Sequence, residues 1–170
     1  MNKTIAIVLF SLLTGSVFGQ KCQYLSNTVS GMDGTRLVIT EPQLYAKKSP
    51  AGQVDVWAKL HLDSLIVLSV VLHDSMALEF HKGDPMILLE EDTELLSLEI
   101  LQDALRDAGL DKPLTVYALV SLEGFETVKN SVVNELRLKT PTGWMNIEAR
   151  NTKQAKSLVS VLGCIAVFLE

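Results

Sequence analysis

The chain has 170 residues, of which 48% are apolar and 21% charged, with a formal net charge of −5. That length and apolar content suit one domain with a substantial core and exclude a disordered chain. An acidic chain without a Lys/Arg-rich run lacks the electrostatic footprint of a DNA- or RNA-binding protein.

The chain opens with Lys3, an apolar run from Ile5 to Leu13, and Val17-Phe18-Gly19 at the positions a signal peptidase reads. This is the pattern of a cleavable signal peptide over residues 1–19, with an apolar core too short to span a bilayer. Residues 20–170 then form a single domain that is exported, to the periplasm or beyond the cell. Losing Lys3 takes the net charge from −5 to −6. Gln20 and Lys21 separate Cys22 from Gly19, so Cys22 is a protein cysteine rather than a lipid anchor. Cys22 and Cys164 stand near the two ends of the mature chain. In an oxidising compartment an even pair predicts a disulfide, and the absence of Cys-x-x-Cys argues against a redox role.

Residues 22–34 read as a lead-in loop with Gly31, Asp33 and Gly34 as turn residues. Arg36–Thr40 is a short strand closed off by Pro42, and 47–52 is a turn. From Gln53 the period is two. Val54, Val56, Ala58, Leu60 and Leu62 alternate with Asp55, Trp57, Lys59, His61 and Asp63, as in a half-buried antiparallel strand. Leu65–Leu72 is uniformly apolar and belongs in mid-sheet. Turns at Asp74-Ser75 and Gly83-Asp84 lead into strands Ala77–His81 and Met86–Leu89. The segment 94–108 fits two periods. Leu95, Leu98, Leu101, Leu105 and Ala108 have helical spacing, whereas Leu96, Leu98 and Ile100 alternate, so a strand followed by a helical turn is expected.

Leu114–Val120 is a strand, and Ser121 caps a short helix with Leu122, Phe125 and Val128 on one face. Leu136–Thr140 and Trp144–Ala149 form a hairpin around Pro141-Thr142-Gly143. Asn151, with Gln154 three residues on, caps a terminal helix over 151–166 whose Ala155, Leu158, Val159, Leu162 and Ala166 make an apolar stripe. Cys164 lies off that stripe in a continuing helix, or just past a stop at Gly163. The fold class is α+β, a largely antiparallel meander sheet with one or two helices packed on a face.

Compact catalytic signatures such as Gly-x-Ser-x-Gly, His-Glu-x-x-His or a phosphate-cradling Gly-rich loop do not occur. A metal site would start from His61 and Asp63 on the polar face of one strand, with His73 or His81 as a third ligand. Glu90, Glu91, Asp92 and Glu94 form an acidic turn without the pattern of a calcium loop. Trp57 and Trp144 offer large amphipathic rings for a partner or a sugar. No catalytic residue and no cofactor is assigned. A non-enzymatic exported protein that binds a protein or glycan partner fits best, with no transmembrane span after signal cleavage. A metal-dependent or hydrolytic enzyme using His61 and Asp63, and a carrier of small apolar ligands, are the alternatives.

Two stretches carry a family likeness. One runs from Cys22-Gln-Tyr24 through Asn27, Val29 and Asp33-Gly34 into Arg36–Thr40. The other runs from Tyr117, Ser121 and Phe125 to Leu136-Arg137-Leu138-Lys139-Thr140-Pro-Thr-Gly143 and closes on Leu162-Gly163-Cys164-Ile165. Together with Lys82-Gly83-Asp84 they resemble small exported proteins of Bacteroidetes-type bacteria. Those proteins have an early cysteine, a late Ile-Arg-Ile-x-Thr-x-x-Gly hairpin and a closing helix that ends in Cys-Ile or Cys-Leu. The resemblance implies export, a Cys22–Cys164 pairing and the α+β class, and it carries over no functional residue.

Overall fold

The computed structural model describes residues 22–29, 35–61, 65–74, 76–109 and 112–169, with His61 described by its backbone alone. The expected signal peptide lies outside these residues. In chain order the elements are β1 (Tyr24–Val29), β2 (Arg36–Thr40), β3 (Gln43–Ser49), β4 (Gly52–His61), β5 (Leu65–Leu72), β6 (Leu78–Phe80) and β7 (Pro85–Glu90). There follow β8 (Thr93–Glu99), β9 (Ala104–Arg106), β10 (Leu114–Val120), α1 (Leu122–Val128), β11 (Glu135–Thr140), β12 (Gly143–Glu148) and α2 (Thr152–Ala166).

A six-stranded antiparallel sheet has the order β1-β2-β4-β5-β10, with β3 also paired to β4. Its inner face follows from the period of two in β4. Val54, Val56, Ala58 and Leu60 are buried and sit opposite Leu72, Val70, Leu68 and Ile66 of β5. Leu114, Val116, Ala118 and Val120 of β10 extend the same rows. Residues on the other face, such as Asp55, Trp57 and Lys59, are only half-buried. A second sheet, β12-β11-β7-β8, turns Met86, Leu88, Leu136, Leu138 and Ile147 into the same hydrophobic cluster. The bridge between Ile100 and Ala118, together with the bond from the Leu101 N–H to the Tyr117 carbonyl (2.9 Å), fastens the end of β8 to β10. A two-stranded ribbon, β6-β9, completes the strands.

Pro42 does not end the edge of the sheet; it splits it. β2 and β3 both run antiparallel to β4, through Ile39↔Lys59 and Gln43↔Val56. A proline has no N–H to give a ladder. At the break the Thr40 hydroxyl, itself buried, accepts the Ala58 N–H at 2.9 Å. The tight turn into β4 needs Gly52, whose φ is 72° and whose hydrogen faces the Asp74 backbone where a side chain would crowd.

α2 is buried on almost every side, from Ala155 to Ala166. Its N-terminus is capped as expected: the Asn151 side chain accepts the Gln154 N–H at 3.0 Å. Gln154 reaches back to the Arg150 N–H, also at 3.0 Å. The helix runs on through Gly163, because packing all round a glycine removes the exposed backbone that would otherwise favour a stop. Cys164 therefore lies inside the helix, where it is bonded to Cys22.

Three local expectations are corrected. Part of the lead-in loop, Tyr24–Val29, is a strand, held against β2 and anchored by the disulfide. Part of the turn at 47–52 belongs to β3, whose lysines point from an exposed edge. The segment 94–108 contains β8 and β9 and no helical turn. Leu105, counted in a helical stripe, is 67% exposed.

Tyr45 ties β3 to the segment that leads into β11: it is fully buried, and its hydroxyl donates to the Val133 carbonyl at 3.1 Å. Burial, reinforced by the Glu135 carboxylate, pushes its phenol far above the ordinary tyrosine range. An unfolded tyrosine loses its proton above a pH of about 10. The folded one keeps it, so this contribution is whole below that pH and lost as pH rises beyond it. Tyr45→Phe should cost about 1–2 kcal/mol at neutral pH, because the Val133 carbonyl loses its donor. The variant should also lose stability less steeply above a pH of about 10, as urea titrations at several pH values would show.

Candidate functional site

The ribbon and the last hairpin form the walls of a cleft. In the ribbon, Leu78 pairs with Arg106, Glu79 with Leu105 and Phe80 with Ala104. Strand alternation sends Leu78, Phe80, Ala104 and Arg106 inward, so Glu79 and Leu105 must face out. In the hairpin, Lys139 pairs with Trp144 across a turn held by the Thr140 hydroxyl, which donates to the Gly143 carbonyl at 3.0 Å. The Lys139 ammonium stands 5.3 Å from the centre of the Trp144 ring and covers one of its faces.

Between these walls lies an open cleft of about 640 Å³, lined by Met76, Leu78, Leu105, Arg106, Trp144 and Met145 among others. Met76, Leu105 and Trp144 are 51%, 67% and 48% exposed. Large apolar side chains scattered singly over a surface need no explanation; three converging on one concavity do. Glu79 and Asp107 also line the cleft. Glu79 has His81 Nε2 3.5 Å away.

Arg106 holds the cleft in shape. It is 4% exposed, and no carboxylate pairs with it among the described residues. Its Nε donates to the Met76 carbonyl at 3.0 Å. Its Nη1 donates to the carbonyls of Leu72 (2.9 Å) and Lys112 (3.3 Å). One guanidinium thus pins the end of β5, the approach to β6 and the approach to β10. Its Nη2 is buried without a hydrogen-bond partner.

The other sequence candidates lie elsewhere. Trp57 sits on the outer face of the six-stranded sheet, edge-on to Tyr117 at 6.3 Å, with Ser69 in register between them. It shares no site with Trp144. The His61 side chain and Asp63 fall outside the described residues. His73 contacts Asp55 at 2.9 Å. Among the described residues no three histidine, cysteine or carboxylate groups are placed to hold a metal ion. The acidic turn has a structural use. Glu91 and Asp92, both at positive φ, close the β7–β8 hairpin, and the Glu90 carboxylate accepts the Val132 N–H at 3.0 Å.

Sequence alone marked Trp144 but neither Met76, Leu105 nor Arg106. An arginine flanked by Leu105 and Asp107 carries no local sign of burial. An alternating pattern over Ala104–Arg106 was the one available clue. No helix of the described residues is long and apolar enough to cross a membrane. Comparison of the chain with protein-family models, curated proteins and solved structures returns no match.

Proposed function

We propose that this is a non-enzymatic exported protein that binds a partner through the Trp144 cleft. The convergence of Met76, Leu105 and Trp144 on one open concavity carries the reading. Aromatic anchors flanked by aliphatic walls suit the apolar side chains of a protein segment. A glycan would use the free face of Trp144, but it would gain little from Met76 and Leu105, so a protein partner is favoured over a sugar. Export is supported by the signal-peptide pattern at the start of the chain and is compatible with the Cys22–Cys164 disulfide.

The test is affinity capture from the native envelope and medium with the unaltered protein, Trp144→Ala and Leu105→Glu. Both side chains are exposed, so the variants should melt like the parent. A stoichiometric protein partner retained by the parent should bind each variant about thirtyfold more weakly, the size of a hot-spot loss. Capture that both substitutions leave unchanged would remove the cleft from the function, and recovery of oligosaccharide alone would replace the protein partner by a glycan.

A further inference from the structure

We propose that β1 is a self-association edge, and that two copies of the chain pair β1 with β1 antiparallel to extend the six-stranded sheet across a two-fold axis. β1 ends that sheet and, among the described residues, pairs only with β2. An exposed edge strand offers a row of unpaired backbone groups, and monomers blunt such edges with charges or prolines. Of the other outer strands, β3 carries Lys47 and Lys48, β8 carries Glu94 and Glu99, and β12 carries Glu148, whereas the uncharged β10 is partly covered by the Ile100–Ala118 bridge and the bond from the Leu101 N–H to the Tyr117 carbonyl. β1 reads Tyr-Leu-Ser-Asn-Thr-Val, with neither charge nor proline. Leu25 and Val29 are 64% and 61% exposed on it.

The pattern of the strand selects a second copy over a foreign strand. Leu25-Ser26-Asn27-Thr28-Val29 runs apolar, hydroxyl, amide, hydroxyl, apolar, and reads alike from both ends. A two-fold interface brings one patch against itself and so demands this self-complementarity. With the axis at Asn27, Leu25 faces Val29 of the partner subunit and Ser26 faces Thr28 of the partner subunit. Apolar and hydroxyl pairs of this kind stabilise antiparallel strands. The register shift against β2 falls at Leu25, at one end of the paired span.

Asn27 stands at the axis. The Nε and Nη2 of Arg36 both donate to the Asn27 Oδ1 at 3.2 Å, which orients the side chain and leaves its NH₂ as a donor. Arg36 is itself held 4.2 Å over the Phe168 ring. The strand is ordered before any partner arrives, because Cys22 is bonded to Cys164 and the Tyr24 hydroxyl donates to the Cys164 carbonyl at 3.0 Å.

Sedimentation equilibrium of the oxidised protein, alone and as Asn27→Lys and Asn27→Glu, tests this. The unaltered chain should dimerise at micromolar concentration. Either variant alone sets like charges opposite each other and should weaken the dimer about tenfold or more. An equal mixture of the two should recover dimers containing one of each. Hydrogen exchange on the unaltered protein gives a reading free of substitutions, since those amides of residues 26–28 that point away from β2 should gain protection as concentration rises. A monomer throughout the micromolar to millimolar range would overturn the proposal. So would a dimer indifferent to both substitutions, or a mixture that fails to re-associate.

Discussion

Replacing Arg106 with leucine should lower stability by about 3 kcal/mol, with a fall in Tm of about 6–12 °C. The guanidinium is already dehydrated in the native state, so its burial counts against it before any substitution. What offsets that cost is the set of three carbonyls it serves, on Leu72, Met76 and Lys112. Hydrogen bonds from a charged donor contribute about 1.5–3 kcal/mol each, and an orphaned buried acceptor costs about 1–3 kcal/mol. Leucine refills the volume but satisfies none of the three. Lysine keeps the charge and still loses the fork, so Arg106→Lys should recover less than half of the deficit. Because Met76 is one of the tethered residues, the wall facing Trp144 should loosen in both variants and shift the fluorescence of that indole. Denaturant unfolding measures the first effect and emission spectra the second. A leucine variant within about 1 kcal/mol of the parent would show that these carbonyls find other donors.

Removing the disulfide should have the larger effect. Cys22 and Cys164 are 142 residues apart in the chain. Joining residues so distant restricts the unfolded ensemble by about 5 kcal/mol in the chain-entropy account. The contribution belongs mainly to the unfolded state, so it leaves a signature that a lost native contact would not. When Cys22→Ser is combined with Cys164→Ser, the urea midpoint should fall and the m-value should rise, because the released chain exposes more surface when it unfolds. A double variant with unchanged midpoint and m-value would contradict this account. In the native state the loss should concentrate at β1, which would retain its pairing with β2 and the Tyr24 hydroxyl bond to the Cys164 carbonyl but no covalent tether.

What the sequence disclosed was local in origin. The alternation in β4, the apolar run of β5, and the caps at Ser121 and Asn151 are each encoded within a few residues, and each stands where expected. β1 and β3 escaped because edge strands bury little of themselves. β1 is polar over most of its length, and the lysines of β3 suit a solvated turn as well as an exposed edge. In 94–108 two periods competed, and pairing with β7 and β6 decided for strands. The cleft was legible only at Trp144. Its walls come from Pro50, from Met76 to Glu79, from Leu105 to Asp107 and from Thr140 to Asn146, and no spacing along the chain announces that these segments meet.

With Cys22 bonded to α2, residues 22–164 are topologically a closed ring. A protease that cuts any one peptide bond between Cys22 and Cys164 opens the ring without releasing a piece. The two fragments stay covalently joined. Two cuts are needed before anything can diffuse away, which doubles the damage such a protein withstands wherever proteases are plentiful and the disulfide stays oxidised.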